Sequence, residues 1–328
     1  MSLISIITPS YNQAAYLEYA IQSVLAQDYP EVEYLVVDGG SSDGSFDVIL
    51  RYASRLAWWI SEPDAGQAEA INKGFARANG QYIAWLNSDD LYLPGAVGQA
   101  VAMLDANPEL GFVFGNALTI DAQGRLLNRL EFGEWGLDDL MAFRIICQPA
   151  VFMRRSVLEQ AGYLDAAYHF MLDHQLWLRL ARLAPVRHAP RDWAAARHHA
   201  AAKNVAQAAG FGRETFDILD WMQAQPDLAP RVAQNRRKIE AGAYRLDARY
   251  LLDAGQPGAS LRSYGRALLN DPLYALRHWH RMAYAAAALV GLSGLVDRLL
   301  EGESGRQLSS PLSGEMAAWP GLSGDTRP

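Results

Sequence analysis

Between Leu3 and Gly115, short apolar runs alternate with stretches whose apolar residues recur every three or four positions. The short runs are LISIIT, EYLVVD, AWWIS, YIAWL and GFVFG. They lack the apolar–polar alternation of a strand with one wet face, which predicts strands of a parallel sheet covered on both sides. Between them, Tyr16, Leu17, Ala20, Ile21, Val24 and Leu25 fall on one helical face, as do Ala70, Ile71, Phe75 and Ala78, and then Val97, Val101 and Leu104. This βαβ repetition predicts an α/β domain with a doubly wound, mainly parallel sheet.

Beyond Gly115 the pattern changes twice. NALTIDAQGRLL predicts a hairpin closing on Ala122 to Gly124, and CQPAVFMRR predicts a further strand running into the helix SVLEQAG. A second helix is expected from about Leu172. From Gly210 onward the texture is helical, and Ala248 to Pro272 has the spacing of one tetratricopeptide-like unit, which would need neighbours to bury its face. The expected organisation is an α/β domain over 1–205, an all-helical appendage over 206–301, and a Gly-, Ser- and Pro-rich tail over 302–328 that predicts disorder. Trp58 and Trp59 lie inside a strand pattern and are expected in the core.

Composition narrows the function. The chain has 328 residues, half of them hydrophobic, enough for a sizeable core. A formal net charge of −7 argues against a nucleic-acid binder, which would need a basic stripe to displace counterions. Cys147 is the single cysteine, and the opening MSLISIITPS has no basic n-region, so a cytoplasmic protein is expected. The longest uncharged stretch, Met282 to Val296, is shorter than the roughly 20 residues a spanning helix needs. With Arg277, His278, His280, Arg281 and Arg298 on its flanks, it predicts either a buried helix or peripheral membrane contact through 273–300 at the inner face of a membrane.

The candidate chemistry sits at the strand ends, where ligands of open α/β sheets bind. Thr8-Pro9-Ser10-Tyr11, Asp38-Gly39-Gly40, Ser61-Glu62-Pro63-Asp64 and Asn87-Ser88-Asp89-Asp90 all follow apolar runs. Neither a GxGxxG fingerprint nor a P-loop is present, so a phosphate ligand must be held another way. Asp89 and Asp90 repel each other, and a divalent cation that also binds phosphate oxygens would relieve them. An acidic cap for the helix beginning near Pro94 is an equally good account of the pair from spacing alone.

A resemblance separates these readings. SIITPSYNQAAYLEYAIQSVLAQDYP, YLVVDGGSSDGS, SEPDAGQAEAINKG, YIAWLNSDDLYLPGA, QPAVFMRRSVLEQAGYLD and MLDHQLWLRLA, in this order over about 200 residues, resemble the inverting glycosyltransferases of family 2, which have a GT-A fold. The resemblance implies a nucleotide-diphosphate-sugar donor, with uridine as the usual base, and a divalent metal, Mn2+ or Mg2+. Pro9 and Tyr11 then match the loop that packs on the base and Asp38 the acid that hydrogen-bonds it. Asp89 and Asp90 match the pair contacting ribose and metal, and Asp173 the general base. At this last position the family more often has Glu-Asp where this chain has Leu172-Asp173, so only the second acid carries over. Arg197, His199 and Lys203 repeat the family's Arg-x-His-x-x-x-Lys spacing.

Each match has a physical reading of its own. Tyr11 offers a flat face for a base and Asp38 an acceptor, or they are a surface aromatic and a turn former. Asp173 is a helix-start acid, suited to a base or to an N-cap. Arg197, His199 and Lys203 could neutralise a leaving diphosphate or form a plain basic segment. Lys73 could approach the nucleotide or be a solvated lysine, and Gln148 could touch an acceptor sugar or be an edge residue. The polymerase segment Gln-x-x-Arg-Trp of processive relatives is absent, so single-sugar transfer to a glycan or lipid-linked acceptor is expected. The rival is a non-catalytic nucleotide-sugar-binding or scaffold protein whose helical C-terminus binds partners.

Overall fold

The computed structural model describes residues 1–199, 202–203, 207–292 and 319–322. Contacts divide the chain into two units, one of Met1–Leu137, Ile146–His198 and Pro311–Pro328, the other of Asp138–Ile145 and His199–Ser310. The helical unit therefore begins at His199 and takes in Asp138–Ile145, whereas the expected division fell at 205. Of the expected tail over 302–328, all but Trp319–Leu322 lies outside the described residues, and those four belong with the sheet.

The first unit is built on a nine-stranded sheet. Its strands are β1 (Ile4–Ser10), β2 (Val32–Asp38), β3 (Trp58–Ser61), β4 (Tyr82–Trp85), β5 (Leu91–Tyr92), β6 (Phe112–Asp121), β7 (Leu126–Leu130), β8 (Val151–Arg154) and β9 (Val186–His198). They run in the order β3-β2-β1-β4-β8-β6-β9-β5, with β7 paired to β6. Strands β3, β2, β1 and β4 are parallel. Strand β8 is antiparallel to both its neighbours, and β6 and β9 are parallel again. Register puts Ser10, Asp38 and Ser61 level at one edge, and the N–H of Leu86 donates to the carbonyl of Ile7. The carboxyl ends of four strands thus face the same way.

Every residue of β1, β4 and β6 is buried, as their unbroken apolar runs predict. Helices α1 (Ala14–Leu25), α2 (Ser45–Tyr52), α3 (Gln67–Arg77), α4 (Ala96–Ala106), α5 (Leu137–Met141), α6 (Arg155–Ala161) and α7 (Leu172–Leu183) follow the chain order. Helix α3 lies so close to β1 that a Cβ on Gly74 would collide with Ile7. Trp85 stacks on Trp177 at 5.2 Å, and Trp177 on Phe112 at 5.5 Å, which joins β4, β6 and α7 in one aromatic layer. Trp58 and Trp59 are only half-buried, because β3 is an edge strand; Trp59 meets the edge of Phe46, and Arg77 lies over Trp58.

The second unit contains helices α8 (Ala208–Ala224), α9 (Ala229–Gln234), α10 (Arg236–Asp253), α11 (Pro257–Asn270), α12 (Pro272–Leu276) and α13 (Trp279–Leu289). Phe211 stacks on Tyr250 at 4.3 Å, and the Ser260 hydroxyl donates to the Ala248 carbonyl, tying α11 to α10. The nearly buried Arg245 donates to the carbonyl of Phe143 at 2.6 Å. The tetratricopeptide-like stretch is thus a pair of packed helices that bury Tyr264 and Ala267. Helix α13 ends at Leu289, and residues 293–296 of the uncharged run lie outside the described residues.

Candidate active site

The loops after β1 and β2 hold each other. Asn12 adopts a left-handed backbone, φ 51°, and its N–H donates to Ser41 Oγ at 2.8 Å while its Oδ1 accepts the Ser42 N–H at 2.9 Å. The Ala14 and Gln13 N–H groups, exposed at the start of α1, donate to Asp43 and Ser45. These bonds leave Tyr11 64% exposed beyond the buried end of β1, with its ring open to a flat partner. Pro9 is buried in β1.

Asp38 is fully buried. Its Oδ2 accepts from the N–H groups of Gly40 and Ser41 and from Ser61 Oγ at 2.6 Å, and its Oδ1 accepts from Ser41 Oγ at 2.5 Å. The carboxylate is the organiser of this loop, so any base contact would be made alongside these bonds. Lys73 on α3 forms ion pairs with Glu62 at 3.0 Å and Glu69 at 3.1 Å.

The acid pair follows β4. Asp89 is half-buried and Asp90 is 6% exposed. Asp90 Oδ1 accepts the backbone N–H of Arg197 at 3.0 Å, and Oδ2 accepts from Asn87 Nδ2 at 3.2 Å. Burial first, and then the neighbouring Asp89 charge, push the Asp90 carboxyl up to about 8. The pair is not a helix cap: α4 starts at Ala96, and Gly95, with a left-handed backbone, precedes it.

Asn87 and Gln67, not singled out among the expected site residues, tie the acids to the rest of the site. Gln67 Nε2 donates to Asn87 Oδ1 at 2.9 Å, Asn87 Nδ2 donates to Gln148 Oε1 at 3.0 Å, and Gln148 Nε2 donates to the Trp85 carbonyl at 2.8 Å. The amide of Gln148 is therefore engaged within the protein. The available sequence signal was the run of four polar residues directly after an apolar strand, in which Asn87 sets the orientation of Asp90.

Asp173 lies in the first turn of α7, two residues after the capping position, which Met171 occupies. Its Oδ1 accepts the N–H of His174 at 2.7 Å. Cys147 is half-buried, and its thiol is pushed up by burial and then by the charges of Asp90 and Asp173.

Arg197, near the end of β9, has a nearly buried side chain. Its guanidinium donates to the carbonyls of Asp89 at 3.0 Å, Asp121 at 3.1 Å, Ala122 at 3.2 Å and Gly321 at 3.3 Å, and lies over the ring of Tyr16. His199 and Lys203 fall in the second unit, half-buried and exposed respectively. The expected trio thus divides at the unit boundary.

Among the described residues no group of three or more His, Cys, Asp and Glu is placed to hold a metal. Asp89 and Asp90 fit a hard divalent ion bound by one or two carboxylates, with phosphate oxygens and water completing its shell. Burial and, after it, the Asp89 charge disfavour the ionised Asp90 carboxyl, and a bound cation would offset both.

Residues 5–161 match the family model described as glycosyl transferase family 2. An uncharacterized glycosyltransferase of Rickettsia conorii is 29% identical over 195 residues, 56% of this chain and 32% of that protein. The O-antigen biosynthesis protein RfbC of Myxococcus xanthus is 29% identical over 221 residues, 63% of this chain and 17% of that protein. The chain thus spans a minor part of these relatives' length. Among solved structures, S. aureus TarS 1–349 in complex with UDP-GlcNAc aligns with TM-score 0.58 and 17% identity, covering 93% of this chain and 92% of that one. The mannosyltransferase PcManGT from Pyrobaculum calidifontis, in complex with GDP-Man and Mn2+, aligns with TM-score 0.58 and 21% identity, covering 89% and 87%. With its mainly parallel sheet and the ordered strand-end motifs, the segment of residues 5–161 is a glycosyltransferase family 2 domain, on a fold of the GT-A type.

Proposed function

We propose that the chain is an inverting, metal-dependent glycosyltransferase that moves one sugar from a nucleotide-diphosphate sugar to a hydroxyl of a glycan or lipid-linked acceptor. The observation that carries this reading is the acid pair directly after β4, within the matched family segment, where the buried Asp90 carboxylate is held by the Arg197 N–H and by Asn87 beside Asp89. Asp173 takes the acceptor proton as the hydroxyl oxygen attacks the anomeric carbon; the bond from that carbon to the diphosphate breaks, and the nucleoside diphosphate leaves. Tyr11 and Pro9 line the base side, with the Asp38 loop beneath them. A bound Mn2+ or Mg2+ held by Asp89 and Asp90 would supply Lewis-acid stabilisation of the leaving diphosphate. Lys73, His199 and Lys203 are proposed on the donor side and Gln148 on the acceptor side.

Uridine is the proposed base, as in the TarS complex, and the GDP-Man complex of PcManGT makes guanosine its competitor. Calorimetry with UDP and GDP, each with and without Mn2+, tests the reading. A transferase binds one of them in a Mn2+-dependent manner and yields product of inverted anomeric configuration by NMR. A scaffold that binds no nucleotide, or binds one without transferring sugar, rejects it.

The Asp90 carboxyl supplies a pH test. Its value in the folded chain is raised from 3.8 to about 8. Between these limits the folded chain holds a proton that the unfolded chain has lost, so metal-free stability falls as pH rises through this window. A cation must displace that proton, so the Mn2+-induced rise in Tm should be larger at pH 8 than at pH 6. A Mn2+ effect independent of pH would remove Asp90 from the ligands.

No helix among the described residues is long and apolar enough to cross a membrane. We propose a cytoplasmic protein with peripheral contact through the second unit, where Leu273, Leu276 and Trp279 are exposed beside Arg277 and His280. Leu273→Ser with Trp279→Ser should move the protein out of the pellet in sedimentation with anionic vesicles. Equal pelleting of variant and parent would reject the contact.

A further inference from the structure

The stretch Trp319-Pro320-Gly321-Leu322 has proline and glycine at the two central positions that a type II turn favours. The turn forms: Gly321 has φ 78°, and the Leu322 N–H donates to the Trp319 carbonyl at 3.1 Å. Three of its four residues are seated on the sheet unit. Trp319 Nε1 donates to the carbonyl of Tyr92 at 2.7 Å, the Gly321 carbonyl accepts from Arg197, and Leu322 packs on the cluster of Leu91, Leu93, Leu118, Ile120 and Ala195. The seat admits no side chain at its centre. A Cβ on Gly321 would lie 2.8 Å from that of Tyr19 and 3.1 Å from the Leu91 methyls. Across the contact, a Cβ on Gly124 would collide with the Gly321 carbonyl.

We infer that this turn is a strap that positions the acid pair; its link to metal rests on the proposed role of Asp89 and Asp90. Directly after Asp90 comes β5, a strand of two residues at the end of the sheet, paired on one side to β9. So short an edge strand has few bonds of its own to fix the residues before it. On the side away from β9, the Tyr92 N–H donates to Ser23 Oγ at 3.2 Å, and the strap completes that side by holding the Tyr92 carbonyl and covering Leu91. The same turn accepts from the guanidinium that also donates to the Asp89 carbonyl, and the backbone N–H of that arginine donates to the Asp90 carboxylate. Arg197 is thus a positioning residue that joins strap, hairpin turn and acid loop, and the strap holds it from the far side.

Two variants of the full chain test this: removal of residues 319–328, and Gly321→Val, which opposes both the turn's backbone and its seat. Two readouts are taken, amide hydrogen exchange of residues 89–93 and calorimetric titration of Mn2+ in the presence of UDP or of GDP. Both variants should exchange faster across 89–93 than the parent, with the other strands unchanged. Mn2+ affinity should fall by roughly tenfold, the scale of losses when groups that orient metal ligands are removed. Unchanged exchange in both variants would overturn the strap. Faster exchange with unchanged Mn2+ affinity would overturn its link to the metal. If the parent itself shows no Mn2+-dependent nucleotide binding, the metal reading fails separately, and hydrogen exchange alone decides whether the strap positions the loop.

Discussion

Asp173→Asn is expected to reduce sugar transfer by roughly 100-fold or more while leaving donor affinity and Tm near those of the parent. A general base acts on the acceptor hydroxyl in the transition state and has little part in holding the donor, so binding and rate should separate. The fold gives a specific reason to expect a stable variant. Met171, not Asp173, occupies the capping position of α7, and the Asp173 carboxylate accepts the His174 N–H at 2.7 Å. An asparagine oxygen can accept that bond equally well. What is lost at the helix is the favourable charge in its first turn, about 0.3–1 kcal/mol. Donor affinity by calorimetry, melting temperature and sugar transfer should be measured on the same preparation. Near-normal transfer by a folded variant would end the case for Asp173 and send the search to Asp165 or Glu62. Glu62 enters such a search already paired with Lys73.

The parts of this architecture that could be read from sequence are those whose signal is local. The apolar runs of β1, β2, β3, β4 and β6, the helical faces between them, and the hairpin turning at Gly124 each follow from spacing or from one residue's backbone preference. Strand β9 was not expected, because VRHAPRDWAAARH mixes charge, proline and alanine and owes its strand form to pairing along β6. That pairing changes the reading of Arg197. Its spacing to His199 and Lys203 pointed outward to a diphosphate, whereas the strand turns its guanidinium onto backbone carbonyls from segments far apart in sequence. The Trp319–Leu322 turn falls in the tail whose composition predicts disorder, and nothing local says that such a turn would dock on the sheet unit. The acid pair stood out as a strand-end anomaly, yet the amides that orient it come from α3 and from the turn before β8.

Asp90→Asn is expected to weaken Mn2+-dependent nucleotide binding by roughly 100-fold or more, since it removes a ligand charge from a site with few ligands. Its effect on the metal-free protein should have the opposite sign. At pH 8 the parent holds a buried carboxyl close to its titration point beside Asp89, a repulsion that metal-free folding must overcome. Asparagine removes that repulsion and can keep the bond from the Arg197 N–H with its oxygen. Its amide nitrogen would face Asn87 Nδ2, donor against donor, which costs about 1–3 kcal/mol if left unrelieved and offsets part of the gain. Asn87 cannot turn to meet it without giving up its bonds to Gln67 and Gln148. Metal-free Tm at pH 8 should therefore equal or slightly exceed that of the parent, while at pH 5, where the parent carboxyl is already protonated, the variant should have no such advantage. Scanning fluorimetry in EDTA at both pH values, followed by Mn2+ titration, reads both effects. A variant destabilised at pH 8 would mean that Asp90 serves the fold rather than the cation. Undiminished Mn2+ dependence would leave Asp89 to hold the ion without it.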